Sequence, residues 1–124
     1  MKRMFGMLAL LVSGHCSALD CANATTTIDM NECAHQQQQA VEAQLNETWR
    51  EVTKHLGGDD SHYPEVRAKL LEGQRAWIKF READCAAMYL LHQDGTMRNL
   101  MHIGCMQSHA EQRIKSLQAF IETY

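Results

Sequence analysis

Gln74-Arg75-Ala76-Trp77-Ile78-Lys79-Phe80-Arg81-Glu82-Ala83-Asp84-Cys85 is the stretch whose reading decides the fold of this 124-residue chain. It contains neither Pro nor Gly and mixes strong helix formers with bulky apolar side chains, which predicts the middle of a long helix. Counting from Val66, the positions Val66, Leu70, Gly73, Trp77, Phe80, Ala87 and Leu91 recur at steps of three and four and predict one apolar face. Arg75, Lys79, Arg81 and Glu82 fall mostly off that stripe and read as a solvated charged flank.

Two further helices flank it. Thr26-Thr27-Ile28-Asp29 has the form of a helix start, with Thr26 as N-cap and Asp29 reaching back. The first helix then runs from about Ile28 to His55, with Met30, Ala34, Val41, Leu45, Trp49, Val52 and Leu56 on its apolar face. Its four-Gln run, Gln36 to Gln39, reads as a solvated helical face. Gly57 and Gly58 end the helix, Pro64 opens the second, and Gln93-Asp94-Gly95-Thr96 turns the chain into a third from about Met97 to Ile121. Met97, Leu100, Met101, Gly104, Ile114, Leu117, Phe120 and Ile121 are its expected apolar positions. No strand pattern competes. The expected class is all-α, an antiparallel three-helix bundle.

The first residues set the compartment. Met1-Lys2-Arg3 is basic, Met4 to Val12 is apolar apart from Gly6, and Cys16-Ser17-Ala18 offers small residues for a peptidase. Residues 1–18 therefore read as a secretory leader and residues 19–124 as one small domain. The apolar run is far short of the ~20 residues that span a bilayer. His15 before Cys16 does not fit a lipidation motif, which needs a small residue there.

Beyond the leader stand Cys21, Cys33, Cys85 and Cys105, an even number that predicts disulfides in an oxidising compartment. Four cysteines allow three pairings. In a hairpin centred on Gly95, Cys85 and Cys105 stand level across the interface, so their bridge is feasible. Joining Cys21 to Cys33 folds the N-terminal arm back onto the first helix. Each bridge is worth about 3 kcal/mol in a chain this short.

These features together resemble a known family. Asp20-Cys21, Thr26, Met30-Asn31-Glu32-Cys33-Ala34, Leu45-Asn46 with Trp49, and the quoted block with Gln74, Arg75, Trp77, Phe80, Arg81 and Cys85 look like its first motifs. Gly95-Thr96-Met97, Cys105, Arg113 and Leu117 resemble its last. The family is the LprI-like lysozyme inhibitors, small secreted bacterial four-Cys helical proteins. Asp94-Gly95 stands where a double Gly is usual, and Ala110 where Thr is common. The resemblance implies a periplasmic or secreted protein that binds a lysozyme-like muramidase.

Charge agrees with that implication. Without Lys2 and Arg3, ten basic residues face fifteen acidic ones, a formal charge of −5. This disfavours nucleic acid as a partner and favours a basic protein. A protruding loop is the expected plug for a lysozyme cleft lined by carboxylates. Two segments qualify: the turn Asp94-Gly95-Thr96, which falls in a family motif, and the longer loop with Asp59, Asp60, Ser61 and His62. No cofactor is expected. Ser61 beside His62 lacks an orienting third group, and Glu42, Glu47 and Glu51 read as a solvated face, so no enzyme is expected. The same acidic scaffold would serve as an immunity module for another toxin or envelope enzyme. Met88, His92, Met97, Met101 and His102 offer a third reading, a Cu(I)-binding protein.

Overall fold

The computed structural model describes residues 19–123; the leader read at 1–18 lies outside them. The chain forms a short 3-10 turn (Cys21–Asn23) and three helices, α1 (Thr27–His55), α2 (Tyr63–Leu91) and α3 (Arg98–Glu122). Thr26 caps α1 as expected, its hydroxyl accepting the Asp29 amide at 3.1 Å. Pro64 lies in the first turn of α2. Gly57 follows the end of α1 as expected, and no described residue has positive φ. A Cβ at Gly57 would lie 3.1 Å from the Lys54 carbonyl oxygen, tighter than an ordinary contact.

Arg67 of α2 reaches the Leu56 carbonyl and Arg81 reaches Glu42, so α1 and α2 run antiparallel. The Cys85–Cys105 bridge sets α2 and α3 antiparallel, and α1 and α3 therefore run in the same direction. α3 is the central element and packs along both of the others, whereas α1 and α2 meet mainly through long side chains. Both expected disulfides are present, Cys21–Cys33 and Cys85–Cys105. Among the described residues no helix is long and apolar enough to cross a membrane.

The core is concentrated towards one end. Leu45, Val52, Leu56, Leu70, Ala110, Ile114 and Leu117 form one buried cluster, with Trp49, Val66, Trp77 and Phe120 against it. Each buried aliphatic side chain there contributes on the order of 2 kcal/mol by leaving water.

The α2 stripe differs from the expected one. Phe80 is 58% exposed and Leu91 77% exposed, and Ala87 is exposed as well. The inner face instead passes through Leu70, Gln74, Trp77, Arg81 and Cys85, again at steps of three and four. Hydrophobic periodicity missed it because two of its members are polar. Gly104 and Met97 of the expected third stripe are also exposed, and Ala110 takes the central buried position.

Candidate functional site

Arg81 is not part of a solvated flank. It is buried, its guanidinium donates to Glu42 Oε1 at 2.6 Å, and it lies 4.6 Å from the centre of the Trp77 ring. Glu42 is thereby withdrawn from the solvated face on which it was expected. On the other flank Arg113 donates to Gln74 Oε1 at 2.8 Å and also lies over Trp77, at 5.9 Å. Desolvation by burial lowers the Arg113 pKa from its ordinary value. Two guanidinia thus stack on one indole, a favourable cation–π arrangement. Gln74, Trp77 and Arg81 tie α2 to α3 and to α1, while Arg75 and Phe80 remain exposed. The motif braces the bundle.

The two candidate plugs are not brought together. The topology places Asp59, Asp60, Ser61 and His62 at one end of the bundle, and Asp94, Gly95 and Thr96 at the other, with all seven exposed. A single partner site contains one or the other. In the first loop the Asp60 carboxylate accepts the His62 amide at 2.7 Å, and Lys54 and Arg67 at this end partly offset Asp59, Asp60 and Glu65. The second is a pinned turn. The Gly95 amide donates to the His92 carbonyl at 2.9 Å, and Arg98 donates to the Gly95 carbonyl at 3.1 Å and to the Tyr89 hydroxyl at 3.2 Å.

Beside this turn opens a groove of about 870 Å³ that sequence reasoning did not find. The start of α1 contributes Ile28, Asn31, Glu32 and His35, the end of α2 Ala86, Tyr89 and Leu90, and the start of α3 Asn99, His102 and Ile103. Ile28 is 80% exposed and Leu90 59%. The opposite end carries smaller depressions of about 220 and 500 Å³. One signal was available: Tyr89-Leu90-Leu91 is a run of three apolar residues, and a helix cannot turn all three towards one core. Four acidic side chains, Asp20, Asp29, Glu32 and Asp94, belong to this end, against one basic, Arg98, which is engaged in the turn.

The soft-ligand residues are spread over more than one depression. Met88 and Met101 line a depression on another side, His102 lines the groove with its ring edge-on to Tyr89, and a His92 ring nitrogen is bonded to the Met88 carbonyl. Cys85, Cys105 and His109 do come within 4.8 Å of one another, but the two sulfurs are joined to each other.

Fold and site together define a disulfide-stapled three-helix bundle with one acidic, partly apolar end. A family model described as "Lysozyme inhibitor LprI" matches residues 20–117, and the chain belongs to that family, whose members are generally non-enzymatic inhibitors. It is also similar to an uncharacterized protein of Rhizobium meliloti (strain 1021), 32% identical over 111 residues and covering 84% of this chain and 80% of the relative. No solved structure matches. The family and the two disulfides point to a location outside the cytoplasm.

Proposed function

We propose that the protein is exported by cleavage after Ala18 and inhibits a lysozyme-like muramidase through the end that carries Asp94, Gly95 and Thr96. Family membership over residues 20–117 carries the target class. The choice of end is supported by the acidic excess there and by the pinned turn beside it. Acidic side chains speed encounter with a basic enzyme, and a rigid turn loses little entropy on docking.

The test is lysis of a peptidoglycan suspension by a panel of basic lysozymes, with and without oxidised residues 19–124. Inhibition that weakens from low to moderate salt is the expected outcome. Thr96→Ala should then reduce inhibition more than His62→Ala; the reverse order moves the contact to the 59–62 loop. No inhibition across all lysozyme classes moves the target to another toxin or envelope enzyme. Intact mass of the exported protein, expected to match residues 19–124, tests the cleavage point.

A further inference from the structure

Resting on that inhibitor reading, we infer that the groove between the start of α1 and the end of α2 is where the basic partner docks, inserting an apolar side chain flanked by Lys or Arg. Size comes first. About 870 Å³ lies within the range of sites that bury a ligand group, and it accommodates one or two large side chains.

The wall chemistry comes next. Ile28, Leu90 and Ile103 present aliphatic surface to the same groove. Contiguous aliphatic exposure on a polar-surfaced chain marks a binding surface more often than a scattered one does. Around that surface the polar groups include acceptors without cationic partners. The Glu32 carboxylate takes only a neutral Gln36 amide at 3.0 Å, and the Asn31 carbonyl oxygen is buried with no partner. A Lys or Arg beside the inserted side chain would supply the cationic partner that the exposed Glu32 carboxylate lacks.

Charge also separates the candidate occupants. A second copy of the chain would set Asp20, Asp29, Glu32 and Asp94 against the same four residues, and like charges juxtaposed across an interface oppose association. A basic partner meets no such repulsion. The groove is also held in shape before binding: Cys33 follows Glu32 and Cys85 precedes Ala86, so each disulfide is anchored next to a wall residue. A preformed wall lowers the ordering cost of docking.

The experiment is calorimetric titration of oxidised residues 19–124 with a strongly basic animal-type lysozyme that the protein inhibits. It compares the wild type with Ile28→Gln plus Leu90→Gln, with Glu32→Gln, and with Asp60→Asn at the opposite end. The double apolar variant, which leaves net charge unchanged, should weaken binding about tenfold or more, the size expected of buried anchor side chains. Glu32→Gln should cost about threefold at low salt and less at high salt, and Asp60→Asn less than about twofold. Unchanged melting temperatures for the variants show that folding is not the cause. Wild-type binding that survives the double change overturns the groove and leaves the inhibitor reading standing. Absence of binding to every lysozyme in the panel overturns both. A wild-type dimer in sedimentation, dissolved by Leu90→Gln, makes a second copy the occupant and overturns the inference.

Discussion

The two ends of the bundle are held by different means. Around Val52, Leu56, Leu70, Ile114 and Leu117 the helices are joined by buried aliphatic side chains, with the Glu42–Arg81–Trp77 and Gln74–Arg113 brace alongside. Around the groove the buried side chains given to the structure are cysteines: Cys33 and Cys85 are covered, while Ile28 and Leu90 face outward. A small domain has too little core to bury every element. Covalent staples substitute for a core at one end, and the apolar residues Ile28 and Leu90 there stay exposed.

That contrast can be broken experimentally, and the largest effect belongs to the packed end. Leu117 is fully buried, so Leu117→Ala should cost about 4 kcal/mol in urea unfolding. A loss under about 1 kcal/mol would mean that the core is not what holds this end. Next is the stapled end: Cys85→Ala with Cys105→Ala should cost about 3 kcal/mol. Amide exchange should then accelerate over 86–103 while 110–117 stays protected, and uniform acceleration would erase the distinction between the ends.

The brace joins the two regimes. Glu42→Gln leaves the Arg81 guanidinium without its carboxylate, and about 2 kcal/mol is expected, moderated because Glu42 is partly exposed. Adding Arg81→Met should recover a good part of that loss, since a buried ion pair is often replaceable by apolar packing. No recovery would mean that the Arg81 stack on Trp77 matters more than its charge. Smaller still, Thr26→Ala removes the α1 cap and should lower stability by about 1 kcal/mol. The smallest change is Leu90→Gln, expected within about 0.5 kcal/mol of wild type because the side chain already faces water.

Much of the architecture was legible in the residues. Thr26, Gly57, Pro64 and the Asp94-Gly95 turn mark helix ends through local backbone chemistry, and all three helices begin and end within a residue or two of expectation. The Cys85–Cys105 pairing followed from equal spacing about the turn, and Cys21–Cys33 from the short arm. The inner face of α2 was less legible, because Gln74 and Arg81 sit where a hydrophobic pattern looks for apolar residues. Phe80, apolar and at helical spacing, was for the same reason read as core while it packs edge-on against His109 at the surface.

The sequence by itself determined what is local: three helices, where each stops, which cysteines can meet, and the acidic balance. These depend on residues close in the chain, or on counts that no fold alters. The tertiary structure alone decided that α3 lies between the other two, that Arg81 turns inward to Glu42 thirty-nine positions away, and that the two candidate loops stand at opposite ends. It alone opened the groove, because a surface shared by three helices is set by how their faces are rotated against one another, and no single stretch of chain encodes that rotation.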